Sequence, residues 1–151
     1  MNIEEKLKLL TGKDNSLAFS VLTELEEESE QSPVLYPYLE EFAMMTGSDK
    51  YVLRVRGFRL FCKQARWDQE NRINQNIDTV LAVLNDKKPT AVRQALGSLP
   101  EMIRWKPELS ERIRCAVLAI DTEQYKESMQ GLIRKDINNL LLELPVPGQT
   151  G

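Results

Sequence analysis

Apolar residues recur at intervals of three and four positions along almost the whole chain, and the strict alternation that is typical of β-strands is rare. Short polar stretches and prolines separate the apolar stripes, among them 11–15, 46–49 and 85–89. Asp14, Asp49 and Thr122 each stand just before a stripe, where a side chain that caps a helix N-terminus is expected. The pattern predicts an all-α fold of about eight amphipathic helices, arranged as four antiparallel pairs.

The second helices of the four predicted pairs can be written in one register, with Leu at the twelfth position of each. The four segments are 14–25, 49–60, 88–99 and 121–132. Such a period is typical of helical solenoids, in which neighbouring pairs stack because one pair alone cannot bury its apolar face. We therefore expect a single α–α superhelix over 1–144. The segment PVPGQTG at 145–151 is rich in Pro and Gly and predicts a disordered tail.

The segment KPTAVRQAL at 88–96 resembles the second helix of a HEAT or armadillo-type repeat, and about four short repeats of this kind cover the whole chain. Residues 73–143 are similar to a family of small bacterial HEAT-like proteins that often carry a SufBD-like label. The resemblance implies that the second helices line a concave face. The label implies iron–sulfur assembly, whereas the resemblance itself implies a fold rather than an activity.

HEAT repeats often bond neighbouring repeats through an Asp in the turn six residues before an Arg of the second helix. This chain departs from that spacing, because Asp49 lies five residues before Arg54 and Lys88 takes the place of Asp before Arg93. The resemblance therefore does not predict a regular Asp–Arg ladder.

The net charge of −3 is distributed unevenly, since residues 1–48 carry −7 and residues 49–72 carry +4. On a wheel of the helix predicted over 49–67, four basic side chains fall together beside the apolar arc. They are Arg56, Arg59, Lys63 and Arg66, which we call the basic stripe. The stripe predicts a surface that binds phosphates or an acidic partner. Alternatively, it is solvated or pairs with the acidic segment 23–30 of the preceding helix pair.

Trp67 and Trp105 each end a second helix, where an aromatic ring together with Arg can stack on bases or pack against the next repeat. Asp136 falls inside the apolar arc of the last helix, and a buried carboxylate is costly unless it is paired. We expect an ion pair between repeats, with Arg93 or Arg104 as the partner. The alternative is a catalytic carboxylate in a concave groove.

The composition excludes several kinds of chemistry. The chain has no His, which removes catalytic triads that use His and metal sites that need it. Its two cysteines, Cys62 and Cys115, are too few for a four-ligand zinc site and are expected to be buried, reduced thiols. The sequence contains no Gly-rich phosphate loop and no HExxH motif. We therefore expect no metal, no cofactor and no enzymatic activity.

The N-terminus lacks the apolar run of a secretory signal, and no stretch of the sequence is long and apolar enough for a membrane span. These features predict a cytoplasmic protein, and the polar first helix pair predicts a monomer. The function we expect is a scaffold or adaptor that binds a protein partner on the concave face. The alternatives are nucleic-acid binding through the basic stripe, as in DNA-alkylation-repair proteins with HEAT-like folds, and an accessory role in iron–sulfur assembly.

Overall fold

The computed structural model describes residues 1–146, and within them the chain forms eight α-helices and no β-strand. The prediction of an all-α fold with eight helices is confirmed. The helices are α1 (Ile3–Leu10), α2 (Asn15–Gln31), α3 (Leu39–Met45), α4 (Tyr51–Lys63), α5 (Arg72–Leu81), α6 (Pro89–Trp105), α7 (Ser110–Leu118) and α8 (Glu127–Glu143). Short 3₁₀ turns precede α3, α7 and α8 and extend the C-terminal ends of α4 and α5. Most of the predicted tail, 147–151, lies outside the described residues.

The even-numbered helices are consecutive neighbours. α4 contacts both α2 and α6, and α6 in turn packs against α8. Each even-numbered helix also packs on the segment before it: α2 on α1, α4 on α3, α6 on the 3₁₀ extension of α5, and α8 on α7. One continuous cluster of buried apolar side chains runs from Leu10 at the end of α1 to Leu144 after α8. The cluster is continuous because each helix buries its apolar face against its neighbours.

The first three predicted second helices begin within two residues of α2, α4 and α6, but the fourth prediction is wrong. α8 begins at Glu127, six residues after the predicted start. Asp121 instead caps a 3₁₀ turn at Thr122–Gln124, where its carboxylate accepts a backbone N–H at 3.0 Å. Tyr125 follows in an extended conformation, and its buried hydroxyl donates to the backbone carbonyl of Asp86. This hydrogen bond keeps Tyr125 in an extended conformation, so that α8 begins only at Glu127.

Of the three predicted capping residues, only Asp14 caps its helix. Thr122 lies inside the 3₁₀ turn that Asp121 caps, and the prediction for it is wrong. Asp14 caps α2, because its carboxylate accepts the N–H of Leu17 at 3.1 Å. Asp49 does not cap α4, whose N-cap residue is Lys50 and which has no side-chain cap. The hydroxyl of Ser48 takes part in this turn instead and accepts the N–H of Lys50 at 3.2 Å.

Gly57 lies where α4 passes close to the end of α3. A Cβ atom at Gly57 would lie 2.5 Å from the Cβ of Met45 and 2.6 Å from the carbonyl oxygen of Phe42. The close approach of the two helices therefore requires glycine at this position. Gly97 in α6 is the opposite case, since a Cβ atom there would meet nothing within 4 Å.

We expect Gly57→Ala to lower the free energy of unfolding by about 1–3 kcal/mol, because α3 and α4 must move apart to admit the methyl group. Gly97→Ala is the matched control and should raise that free energy by about 0.5–1 kcal/mol, because alanine loses less backbone entropy than glycine in a helix. Urea denaturation followed by circular dichroism measures both changes. Equal effects of the two substitutions would contradict the close approach of α3 and α4.

Candidate functional site

Arg56, the first residue of the basic stripe, is buried beneath the surface of α4. Its guanidinium donates to the carbonyl of Leu10 at 2.8 Å and to the side-chain oxygen of Asn15 at 3.0 Å. Burial lowers the pKa of Arg56. The side chain satisfies a carbonyl at the C-terminal end of α1, which has no partner within its own helix. This placement corrects the expectation that Arg56 contributes to a partner surface.

Arg59 and Lys63 pair with carboxylates of α2. Arg59 donates two hydrogen bonds to Glu26, at 2.7 and 3.1 Å, and a third at 3.0 Å to the side-chain oxygen of Gln94 in α6. The ammonium of Lys63 lies 2.7 Å from the carboxylate of Glu30, and this hydrogen bond and charge lower the pKa of Glu30. Of the alternatives that the sequence leaves open, the structure shows pairing with the acidic segment 23–30.

Arg66 joins α4 to α6 at the C-terminal ends of both helices. It donates to the carboxylate of Glu101 at 2.6 Å and to the backbone carbonyl of Glu30 at 2.9 Å. Its guanidinium also lies 5.2 Å from the centre of the Trp105 ring, and the guanidinium of Arg104 lies 5.1 Å from the same centre. Trp105 is 41% exposed and is therefore an aromatic surface flanked by two cations.

Trp67 is held in the structure by a hydrogen bond between helices. Its indole N–H donates to the backbone carbonyl of Ser29 near the C-terminal end of α2, at 2.7 Å. The hydroxyl of Ser29 in turn accepts a hydrogen bond from Gln64 at 3.0 Å. Trp67 thus packs against the preceding helix pair, whereas the sequence left open either packing against the next repeat or base stacking.

Asp136 in α8 is half-buried and accepts hydrogen bonds from Arg93 in α6, at 2.7 and 3.4 Å. The hydrogen bond and the charge of Asp136 raise the pKa of Arg93. Of the two Arg partners that the sequence suggested, Arg93 forms the pair, and Arg104 lies over Trp105 instead. The carboxylate therefore links the last two helix pairs.

Two adjoining cavities lie along α6, one of about 480 Å³ against α8 and one of about 460 Å³ against α4. They share Gln94, Gly97 and Pro100, which form a floor between the two flanking helices. Gly97 leaves this floor open, because nothing occupies the space that a side chain would take. Lys63 stands on the α4 side and Asn139 on the α8 side. We call this depression the α6 groove.

The sequence interpretation missed Asp86, whose carboxylate is almost fully buried in the turn before α6. It accepts two hydrogen bonds from Arg54 of α4, at 2.6 and 3.0 Å, and one from the N–H of Lys88 at 2.9 Å. The hydroxyl of Tyr125 binds the backbone carbonyl of the same residue. Arg54 therefore pairs with the following repeat and not with Asp49 of its own turn.

Asp68 repeats this arrangement in the turn before α5. Its buried carboxylate accepts the hydroxyl of Tyr36 at 2.6 Å and two backbone N–H groups at the start of α5, each at 3.0 Å. The buried ammonium of Lys106 lies 3.2 Å from the same carboxylate. Tyr36 and Asp68 are 32 residues apart, as are Arg54 and Asp86. Both bonds therefore join segments about one helix pair apart in the sequence.

The surroundings of these two carboxylates shift their pKa values. Burial alone would raise the pKa of Asp68, but the hydrogen bonds from Tyr36, Lys106 and backbone N–H groups outweigh it and hold that pKa below its ordinary value. The pKa of Asp86 is likewise lowered, because hydrogen bonds from Arg54 and a backbone N–H outweigh the effect of burial. Burial and the bond to Asp68 raise the pKa of Tyr36 to about 12.

Within residues 1–146, no group of three or more Cys, Asp and Glu side chains is arranged to hold a metal ion. No helix in this part of the chain is long and apolar enough to cross a membrane. Both cysteines are free thiols. The prediction of a buried thiol is confirmed for Cys62, whose pKa is raised by burial, and is wrong for Cys115, which is exposed on α7.

Asp68 and Asp86 have lower pKa values in the folded protein than in the unfolded chain, so the stability they contribute is present above the unfolded pKa of about 4. It is lost as the pH falls through the folded values. We expect the free energy of unfolding to decrease below about pH 4. Asp86→Asn should lower it by about 1.5–3 kcal/mol at pH 7, because charged hydrogen bonds are lost, and should weaken the dependence on pH.

Urea denaturation at pH 7, 4 and 3 measures these changes. Glu27→Gln is the matched control, because Glu27 is an exposed carboxylate on α2 and the substitution should leave stability nearly unchanged. An Asp86→Asn variant with wild-type stability at pH 7 would show that the buried pair does not hold the repeats together.

The chain matches no protein-family model, no curated protein and no solved structure at a significant level. The resemblance to HEAT-like proteins therefore remains an expectation from the sequence. The all-α architecture, the ion pairs between neighbouring helix pairs and the α6 groove are the findings on which a function can be argued.

Proposed function

We propose that the chain is a non-enzymatic scaffold or adaptor that binds a protein partner along the face formed by α2, α4, α6 and α8. In this proposal the four helix pairs form a HEAT-like α–α superhelix, and the α6 groove lies on its concave side. The observation that carries the proposal is the open floor of the groove at Gly97, between two flanking helices that are held in place by ion pairs.

The chemistry of this face suits recognition of a protein. Ion pairs such as Arg59–Glu26 and Arg93–Asp136 join neighbouring helices, so that the face is formed before any partner arrives. A preformed surface loses little conformational entropy on binding. Trp105 stands exposed between Arg66 and Arg104, and Trp and Arg are the residues most often found where binding energy is concentrated.

The geometry gives less support to an enzyme. The sequence left open a catalytic role for the carboxylate of Asp136. In the structure Arg93 binds this carboxylate, which thereby bridges two helices. The buried carboxylates of Asp68 and Asp86 are surrounded by hydrogen-bond donors from the protein itself. These groups act as links between helix pairs, which is a structural task.

Nucleic-acid binding through the basic stripe has weaker support than a protein partner. Affinity for a nucleic acid arises when cations of the protein neutralise phosphates and counterions leave the nucleic acid. The cations of the stripe that reach the surface are already paired with Glu26, Glu30 and Glu101. The iron–sulfur role rests on the label of similar proteins, and no observation in the described residues favours it.

The proposal keeps the expectation of a cytoplasmic monomer.

A photo-reactive benzoylphenylalanine at Ser98, inside the α6 groove, tests the proposal. We expect it to form covalent adducts with one main protein in cells, which mass spectrometry then identifies. Gly97→Gln should weaken binding of that purified partner at least about tenfold, which is about 1.4 kcal/mol, because the new side chain fills the groove. Calorimetric titration measures the change in Kd.

The same photo-reactive residue at Lys135, which is exposed on α8 and does not line the groove, is the control. Adducts of equal yield from Lys135 would contradict a partner seated in the α6 groove. Gly97→Gln should also not lower the unfolding midpoint of the parent protein, since no atom within 4 Å opposes a new Cβ. Loss of binding with an unchanged fold is the expected outcome.

A further inference from the structure

A second depression lies at the N-terminal ends of α2, α4 and α6. Its deeper part is a cavity of about 290 Å³ with Phe19, Leu22, Val52 and Val55 among its lining residues, which we call the apolar pocket. An adjoining cavity of about 430 Å³ shares Asn15, Tyr51 and Val52 with it. Three lysines line this second cavity, and we call them the lysine rim: Lys13, Lys50 and Lys88.

The apolar pocket leaves large apolar side chains in contact with water. Phe19 is 59% exposed on α2, and Tyr51 is 37% exposed at the start of α4. Val52 and Val55 add aliphatic walls between them. Apolar area of this kind contributes binding energy when a partner removes it from water. The pocket therefore suits a large apolar side chain of a partner.

The lysine rim differs from the paired cations of the face. Arg59, Lys63, Arg66 and Arg93 each have a carboxylate within 3 Å. Among the described residues, by contrast, no lysine of the rim has a carboxylate within ion-pair distance. The ammonium of Lys88 lies 5.3 Å from the centre of the Tyr51 ring, beside the apolar pocket.

Nearby charges leave the rim with a surplus of positive charge. Arg54 also lines this cavity, but its guanidinium is bound by Asp86. Asp49 is the one carboxylate that lines the cavity among the described residues, against three lysines. A partner that supplies carboxylates here meets three lysines that form no ion pair within the described residues.

We propose that the partner's docking segment is an acidic peptide that places one large apolar side chain in the apolar pocket and its carboxylates against the lysine rim. This inference rests on the proposed scaffold function and names the chemistry of its partner. An acidic peptide fits better than a nucleic acid, because the pocket has an apolar wall at Phe19. Arg56 and Arg59 also line the pocket, but Leu10 and Asn15 bind the first and Glu26 binds the second. The two cavities are contiguous, so one short segment reaches both.

Selection from a random 12-residue peptide library displayed on phage tests this chemistry. We expect the enriched peptides to carry Asp or Glu within a few positions of Leu, Ile, Phe or Trp. Fluorescence anisotropy then gives the Kd of the best enriched peptide as a synthetic labelled probe. Its affinity should fall several-fold between 50 and about 300 mM salt, because exposed charges are screened.

Two variants should each weaken that probe at least about tenfold: the double charge reversal Lys50→Glu with Lys88→Glu, and Phe19→Ala. The matched controls are Lys135→Glu and Leu142→Ala, which change an exposed lysine and an exposed leucine on α8. Both controls should leave the Kd within about twofold. Circular dichroism and urea midpoints show whether each variant is folded, and all five substituted positions are exposed.

Several outcomes would overturn the inference. Enrichment of basic peptides, no enrichment at all, or probes that bind the Phe19 and lysine variants as well as the parent would each do so. If Gly97→Gln alone weakens the probe, the scaffold function stands and only the docking position is wrong. Binding of a 20-nucleotide oligo(dT) that needs the lysines but not Phe19 would favour nucleic acid instead.

The remaining alternative is that a second copy of the chain occupies the apolar pocket and the lysine rim, because the acidic segment 23–30 of that copy has suitable charge. Sedimentation velocity across a range of protein concentrations separates this case. A dimer that Phe19→Ala dissociates would show that the pocket serves self-association, and would overturn the assignment of a foreign acidic peptide. A monomer at all concentrations, together with acidic peptides that bind, is the expected result.

Discussion

The Arg54–Asp86 ion pair connects α4 to the turn from which α6 begins, and it holds these two helices against each other. The carboxylate of Asp86 is almost fully buried, so its charge is tolerated only while Arg54 and the N–H of Lys88 hold it. Tyr125 binds the backbone of the same turn from the following pair. Three helix pairs therefore meet at one residue. The apolar core is continuous from one pair to the next only when these polar groups are satisfied together.

The same principle of pairing between neighbours governs the exposed face. Arg59 and Lys63 are satisfied by α2, Arg66 by α6, and Arg93 by α8, so that the cations which looked available in the sequence hold helices together instead. The face is consequently preformed and close to neutral along α6. Surplus positive charge remains at the lysine rim, beside the apolar pocket. Rigidity and an unneutralised patch are the two properties from which we infer an acidic peptide partner.

Much of the fold was predictable because α2, α4 and α6 carry a broad apolar stripe whose period is a local property of the sequence. The prediction failed at α8, where the register suggested that Leu132 is a core residue. Leu132 is 41% exposed, whereas Ile133, which belongs to the same predicted apolar stripe, is buried. The expectation of an ion pair at Asp136 came from the cost of an unpaired buried charge. That expectation depended only on the position of Asp136 in the helix and on the cations of the preceding helix.

The sequence by itself determined the helical class, the number of helices and the need to compensate the charge of Asp136. The apolar periodicity and the burial of a charge within an apolar arc both depend on the sequence of a single helix, so they can be predicted from neighbouring positions of the chain. Only the tertiary structure decided which cations are paired and which remain free. The partner of Arg59 lies 33 residues away and that of Arg66 lies 35 residues away, on other helices. Such contacts depend on how whole helices are placed against one another, and a wheel drawn for one helix contains no information about the side chains that face it.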